Sequence, residues 1–491
     1  MVIAASARAA PARQLDSGAV IDRPLSIALA PQVAPVVGMV NRAASTILFV
    51  VVALCPLPFG STDPITVALW CVVLGVGLAS ASLRLLDRRR LALIWISLAL
   101  LPAYALVLHE QLAAQPWFAA AGPHEIWHKA SEILGMAIAP SVSIARNQPL
   151  FALGPPLAAM LAFLCSLIVC ADRAMARRLF WVVALSGAAY AIYGIGAFLV
   201  DPAKVLWREK QAYGSVLTAT FINRNTAAVY FGSCAMIWLM AVLEHVRREV
   251  RAGDDWRASL RGLMARPPRA IVLAFCAFFV CLAAMFMTGS RAGVVISLAA
   301  LLAVAIWFLR GVVVVRRKFW LMLGGAAVAV LVLLQVMGAG VQARFDTEGL
   351  ASGGRLETYR STLRMIADHP WFGSGLGTFV WSYPAYRGDE ISMWGIWDRA
   401  HSTPLEIAAD MGLPLAGAVA AWWLMVLGML WHGVRVRRRD RDIPFGALMI
   451  AAIALAHSMI DFSLQIPGFA IVVFALAGAG VAQSFRTVRG V

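Results

Sequence analysis

The chain has 491 residues, of which 61% are hydrophobic and 14% are charged, and its mean hydropathy is +0.77. This composition excludes a water-soluble globular protein and is typical of a membrane protein. The net charge of +16 does not indicate nucleic-acid binding, because the basic residues are concentrated in alternate loops, as membrane topology requires. Their excess indicates instead an attraction to anionic membrane lipid.

The chain begins with a polar segment, residues 1–40, that predicts a disordered cytoplasmic tail. It does not resemble a cleavable signal peptide, because Arg8, Arg13 and Asp16 interrupt its first apolar run. Residues 41–486 predict one all-α membrane domain. Its twelve apolar runs of about 20 residues predict membrane-spanning helices at residues 43–60, 64–86, 91–108, 150–171, 179–200, 223–243, 270–288, 293–309, 319–337, 408–431, 443–460 and 467–485. With the N-terminus inside, the inner segments hold 29 of the 42 Lys and Arg residues, so both termini are predicted to be cytoplasmic.

Three outer loops are long enough to fold, at residues 109–149, 201–222 and 338–403. The first contains His124-Glu125-Ile126-Trp127-His128, an H-E-x-x-H sequence that can bind zinc when it lies on a helix. No third ligand follows at a metzincin spacing, and a short helix resting on the membrane is the favoured interpretation. We therefore expect no metal site.

Residues 355–368 of the loop 338–403 predict an amphipathic helix, whose apolar residues recur every three or four positions: Leu356, Tyr359, Leu363 and Ile366. This helix either lies along the outer membrane surface or packs on its own protein. Arg355, Arg360 and Arg364 either bind phosphate or form its solvated side, and we favour the solvated side.

Several short motifs follow one another on the predicted outer face. They are Phe221-Ile-Asn-Arg-Asn225, Gly289-Ser-Arg-Ala-Gly293, Pro370-Trp-Phe-Gly-Ser-Gly-Leu-Gly377, Ala400-His-Ser402 with Leu405-Glu406 and Asp410-Met-Gly412, and His457-Ser-Met-Ile-Asp461. In their order and spacing these motifs resemble the bacterial O-antigen ligase and O-antigen polymerase superfamily. The resemblance implies a fold related to the membrane glycosyltransferase architecture GT-C, with a large periplasmic loop.

The resemblance also implies an activity. A glycan would be moved from an undecaprenyl diphosphate donor to an acceptor on the periplasmic face of the cell inner membrane, with no cofactor or metal. The acceptor is lipid A-core for a ligase, which we expect first, and another lipid-linked glycan for an O-antigen or exopolysaccharide polymerase. A protein O-oligosaccharyltransferase is a further alternative. The product would be inverted, and the absence of an obvious nucleophile favours the same outcome.

The family's important residues map by resemblance onto His401, Arg291 and Arg224, with Asn223 and Asn225 beside Arg224 as expected substrate-binding residues. The sequence departs from the family in having Ser402 where asparagine frequently follows the histidine, and Asp410 where glutamate is common. Both departures leave the subfamily open.

The chemistry of these residue types agrees with that mapping. A neutral imidazole can accept the proton of an attacking sugar hydroxyl near pH 7, and guanidinium groups can stabilise the departing diphosphate. The alternatives are a helix-capping role for His401 and a headgroup-snorkelling role for Arg291.

The acidic residues nearby are open to three interpretations. Glu406 and Asp410 are expected to bind substrate, to orient His401, or to cap the next helix, where carboxylates are favourable. His457 and Asp461 are expected to be structural, although such a pair can also influence acceptor binding.

A transporter, for example of bicarbonate, is the alternative function from another class. Few ionisable residues lie within the apolar runs, however, whereas coupled transport usually needs some there.

Overall fold

The computed structural model describes residues 33–118, 122–252, 256–309, 353–389, 391, 396–437 and 440–485. The described residues from Val40 onward belong to one compact unit. The predicted tail, residues 1–40, lies outside the described residues except for residues 33–40, which are helical. The predicted span 319–337 lies wholly outside them.

The described residues are mostly helical, with almost no strand, as predicted. The helices before the long loop are α1 (Val33–Leu54), α2 (Pro64–Ala79), α3 (Arg88–Leu98), α4 (Leu100–Leu112), α5 (Ile126–Leu134), α6 (Gln148–Ala152), α7 (Gly154–Val169), α8 (Arg173–Val200), α9 (Arg224–Ala252), α10 (Trp256–Ala265), α11 (Arg269–Met287) and α12 (Arg291–Leu309). Those that follow are α13 (Gly353–Asp368), α14 (Phe379–Ser382), α15 (Thr403–Met411), α16 (Leu413–Val436), α17 (Asp442–Ser458) and α18 (Pro467–Ala482). Between α8 and α9, strands β1 (Lys204–Val205) and β2 (Arg208–Glu209) form an antiparallel hairpin.

Seven helical segments in the described ranges are long and apolar enough to cross a membrane: Arg88–Leu112, Gln148–Val169, Arg173–Val200, Arg224–Glu249, Arg269–Met287, Arg291–Phe308 and Leu413–Val436. Four more apolar helices coincide with predicted spans but have 10–17 residues: Asn41–Leu54, Pro64–Ala79, Asp442–Ser458 and Pro467–Ala482. A span needs about 20 residues, so a multispan membrane protein is confirmed and the number twelve is not.

The short helix α18 is central to the bundle. All of its side chains except that of Phe474 are buried, and Gly478 lies so close to the backbone of Phe163 in α7 that no side chain would fit there. Small residues permit this close packing of helices in a membrane. The helix α17 ends at Ser458, and α18 begins at Pro467. Residues 459–466 connect the two helices, and this connection carries Asp461, which is described below.

The outer loop has its own small apolar core, formed by Met365, Ile366, Phe379, Tyr383, Ile391, Ala400, Ala408 and Ala409. This core joins α13 to α15, and it confirms the helix predicted at 355–368. The predicted apolar face is only partly right, because Ile366 is buried whereas Leu356 and Leu363 are about half exposed. Thr358 and Thr362 are buried instead, since their hydroxyls donate to carbonyls one turn earlier, at 2.8 and 2.7 Å.

The glycine-rich segment 370–377 packs against the junction of α15 and α16. Gly373 lies against the backbone of Asp410, and Gly412 lies against the carbonyl of Trp371, in each case without room for a side chain. Both glycines have positive φ angles, +67° and +83°, which other residues rarely adopt. These two contacts fix the position of α15 against the glycine-rich segment, and with it the position of the residues just before α15 in the chain.

Candidate active site

His401 lies two residues before α15, at the end of the loop 338–403. Its imidazole is flanked by the rings of Trp397 and Phe462, whose centroids are 5.6 and 5.3 Å away. The Nδ1 atom is buried and makes no hydrogen bond with the described residues, and the side chain as a whole retains 23% exposure. Its backbone φ is +52°, a left-handed conformation that is uncommon for residues with a side chain. The surrounding structure therefore holds this residue in place.

Asp461, in the connection between α17 and α18, faces His401. Its Oδ1 atom is 3.5 Å from His401 Nδ1, and its Oδ2 atom is 3.9 Å from Arg355 Nη2 and accepts a hydrogen bond from Asn225 Nδ2. The carboxylate is only 2% exposed. Three chain segments that are far apart in sequence thus converge on the buried negative charge of Asp461.

The charge state of Asp461 follows from these neighbours. Burial alone would raise the pKa of its carboxyl group, but the contact with His401 and the positive charges of His457, His401 and Arg355 outweigh burial and hold the pKa below its usual value. Asp461 is therefore ionised throughout the pH range in which a histidine normally titrates. A carboxylate at Nδ1 favours the imidazole tautomer that leaves Nε2 free to accept a proton.

The sequence-based interpretation of Asp461 as structural did not anticipate this contact. His457, its expected partner, instead has Nδ1 within 2.8 Å of the Ser463 hydroxyl. A signal was available, because an ionisable residue just beyond an apolar run is by default a candidate functional residue.

The two asparagines beside Arg224 have roles in the fold of the site. Asn223 caps α9, since its Oδ1 accepts the backbone N–H groups of Asn225 and Thr226 at 2.7 and 3.0 Å. The Asn225 side chain holds Asp461. Their role in substrate binding stays a prediction; these contacts engage the Oδ1 of Asn223 and the Nδ2 of Asn225.

Arg224 is the first residue of α9, and its guanidinium lies 5.0 Å from the centre of the Tyr213 ring. Its Nε and Nη1 atoms are buried, and neither has a hydrogen-bond partner among the described residues. Leaving such donors without an acceptor is costly. The arrangement is suited to an anionic ligand that would supply the acceptors.

Arg291 is the first residue of α12, after the tight turn that the sequence predicts. Gly289 in that turn has φ of +61°, and Ser290 caps the helix by accepting the Gly293 N–H at 3.3 Å. Gly293 packs against Ala228 in the first turn of α9. The structure therefore brings the helix starts that carry Arg224 and Arg291 together, and helix N-termini favour phosphate.

The arginines of α13 separate into two groups. Arg355 lies beside Asp461, whereas Arg360 and Arg364 are exposed and each pairs with Glu357 at 3.3 Å. The structure does not bring Arg360 and Arg364 to His401, and their contacts match the solvated-side interpretation.

Glu406 and Asp410 are buried, and neither contacts the His401 imidazole. Glu406 accepts hydrogen bonds from Arg399 Nη1 at 3.0 Å and from the Ala400 N–H at 2.8 Å. Asp410 accepts the Gly377 N–H at 2.8 Å, and burial, reinforced by the nearby Glu406, raises its pKa well above the usual value. Glu406 and Asp410 therefore do not orient the imidazole directly. The carboxylate that faces its Nδ1 atom is that of Asp461.

The H-E-x-x-H sequence does not form the arrangement that zinc binding requires. The helix α5 begins only at Ile126, and the Nδ1 atom of His124 accepts the N–H of Ile126 at 3.2 Å. Within the described ranges, no group of three or more His, Cys, Asp or Glu residues is placed to hold a metal ion.

Comparison with known families identifies one segment of the chain. Residues 276–420 match the family model described as O-antigen ligase, a segment that includes Arg291, His401 and Glu406. The resemblance to the O-antigen ligase superfamily is thereby confirmed. Arg224 and Asp461 lie outside the matched segment. No curated protein matches the chain significantly.

Proposed function

We propose that this membrane protein, which carries an O-antigen ligase domain at residues 276–420, transfers a glycan from undecaprenyl diphosphate to an acceptor on the periplasmic face of the inner membrane. The observation that carries the proposal is the contact between His401 and the buried carboxylate of Asp461, at 3.5 Å. A histidine held in this way is equipped to act as a general base.

The proposed reaction is one displacement. The acceptor hydroxyl gives its proton to His401 Nε2 while its oxygen forms a bond to the anomeric carbon of the donor. The bond from that carbon to the diphosphate oxygen breaks, and the diphosphate leaves with the electron pair. One displacement without a covalent enzyme intermediate inverts the anomeric configuration. Asp461 stabilises the imidazolium that forms, because opposite charges attract strongly in a buried site.

The departing diphosphate needs positive charge, and we assign this role to Arg224 and Arg291. Arginine binds phosphate through a planar fork of donors, and the unpartnered buried Nε and Nη1 atoms of Arg224 support the assignment. Both residues begin helices, whose N-terminal dipoles add to the stabilisation. The reaction as proposed needs no metal ion.

We favour ligation to lipid A-core, with polymerisation and protein glycosylation as alternatives within the same chemistry. The surface glycan of a deletion strain distinguishes them. Loss of all long chains with accumulation of lipid-linked polymer supports a ligase. Chains that carry a single repeat unit indicate a polymerase, and loss of glycan from a protein indicates an oligosaccharyltransferase.

The proposal is tested with purified protein in liposomes that contain a lipid-linked glycan and a candidate acceptor. We expect glycan transfer without added metal or nucleotide. Uptake of a solute such as bicarbonate without glycan transfer would favour the transporter alternative. The same proteoliposomes measure both activities, so each result is the control for the other.

A further inference from the structure

The segment that carries His401 is held at both sides of the histidine. On its N-terminal side, the buried Ala400 donates its N–H to Glu406, at 2.8 Å. On the histidine itself, the carbonyl oxygen accepts the hydroxyl of Tyr359, at 3.0 Å. These two bonds fix the peptide group between Arg399 and Ala400 and the peptide group between His401 and Ser402, one before and one after the left-handed His401 backbone.

Glu406 also links this segment to a second part of the site. Its Oε1 accepts Arg399 Nη1 at 3.0 Å, and the same Nη1 donates to Gln465 Oε1 at 2.8 Å. Gln465 lies in the connection between α17 and α18 that carries Asp461. Arg399, Glu406 and Gln465 together form what we call the Arg399 clamp.

Glu406 is poorly placed to bind substrate. It is 3% exposed, and both carboxylate oxygens are occupied, one by Arg399 and the other by Ala400. It is also not a simple cap of α15, because it bonds to a residue before the helix rather than to the helix's own first N–H groups. Its contacts connect the segment that carries His401, the proposed base, to the segment that carries Asp461, the carboxylate that faces it.

We propose that Glu406, acting through the Arg399 clamp, is a positioning residue that keeps His401 in its left-handed conformation and in register with Asp461. The inference rests on the proposed function for its catalytic consequence, but not for its geometric one. A strained conformation at a functional residue persists only where the surroundings enforce it, and Glu406 supplies that constraint.

The kinetic test compares Glu406→Ala with Glu406→Gln. The alanine variant lacks an acceptor for Ala400, and we expect kcat to fall by about 10²-fold, the effect of a misplacement of about 1 Å, with the donor KM unchanged. The glutamine variant keeps an accepting oxygen for the Ala400 N–H but turns an N–H₂ donor toward Arg399, so we expect its kcat to lie between those of the alanine variant and the wild type. Asp368→Asn is the matched control with wild-type kcat, because it alters an outer-loop carboxylate that accepts the Tyr386 hydroxyl, at 2.8 Å, away from His401.

A second measurement needs no substrate. Diethyl pyrocarbonate modifies histidine side chains, and mass spectrometry gives the rate for His401 in the purified protein. We expect faster modification in Glu406→Ala than in the wild type, and an intermediate rate in Gln465→Ala, which loosens the clamp without altering the segment of His401. The Gln465 variant also serves if Glu406→Ala does not accumulate in the membrane.

The outcomes separate the two proposals. Unchanged kcat and unchanged modification in the clamp variants would overturn the positioning role, while transfer by the wild type would still support the proposed function. Altered modification in a protein that transfers no glycan would keep the positioning role and reject the function. A raised donor KM that glutamine does not restore would assign Glu406 to substrate binding instead.

Discussion

Replacing Asp461 by asparagine removes one negative charge from the site while keeping the size of the side chain. The carboxylate lies 3.5 Å from His401 Nδ1, and two unit charges at that distance attract by about 5 kcal/mol at an effective dielectric constant of about 20. This value is an upper limit for the stabilisation of the imidazolium formed in the transition state. Because His401 retains 23% exposure and solvent screens part of the interaction, we expect transfer to fall by about 10²–10³-fold.

The asparagine has a second effect in the same direction. If its amide group turns its N–H₂ toward Nδ1, it donates a hydrogen bond there and favours the tautomer whose Nε2 already carries a proton, which cannot act as a base. The assay is glycan transfer by purified protein at matched amounts, with thermal stability in detergent as the control for folding. Transfer by Asp461→Asn at a rate near that of the wild type would refute the assignment of Asp461 as the partner of His401.

Three further predictions concern residues around the site and the topology. Arg291→Lys should lose most activity although the charge is kept, because lysine lacks the bidentate fork; near-normal transfer would return Arg291 to a snorkelling role. Asp410→Ala should destabilise the fold by about 1–3 kcal/mol by leaving the Gly377 N–H without its acceptor, whereas Asp410→Asn should not. The folded-state pKa of Asp410 is raised, so wild-type stability should fall as pH rises from about 4 toward that raised pKa. The thermal midpoint of Asp410→Asn should lack this fall. The same pH dependence in both proteins would contradict the prediction. In a background without native cysteines, a cysteine at Asp389 should react with an impermeant thiol reagent applied to the outer face and one at Arg266 should not; the reverse pattern would invert the topology.

Local patterns predicted the elements of the site well. The spacing of apolar residues located α13, the glycine-flanked turn located Arg291 at the start of α12, and the polar segment before an apolar run located His401. Each of these features is a property of a few consecutive residues. The predicted apolar face of α13 was partly wrong. Thr358 and Thr362 donate their hydroxyls to carbonyls of their own helix and are buried in place of Leu356 and Leu363.

What the sequence did not reveal depends on contacts between distant segments. Asp461 lies 60 positions from His401 in the chain. The two residues meet because α17 and α18 are short, which places the connection between these helices beside the segment that carries His401. The contacts of Asn225 with Asp461 and of Glu406 with Arg399 and Ala400 were likewise not visible in the sequence, because each joins segments that local patterns do not connect. Hydropathy likewise marks apolar runs without their helical lengths, so the number of membrane crossings was not established.

The central claim is that His401 accepts the proton of the attacking hydroxyl. Its most direct test is glycan transfer by purified His401→Gln, which keeps hydrogen bonding but not basicity, together with binding of the lipid-linked donor to the same protein. We expect transfer to be lower by about 10²–10⁴-fold, the usual contribution of a general base, with donor binding retained because the arginines hold the diphosphate. Transfer by the glutamine variant near the wild-type rate would contradict it, and would show that His401 only positions the substrate.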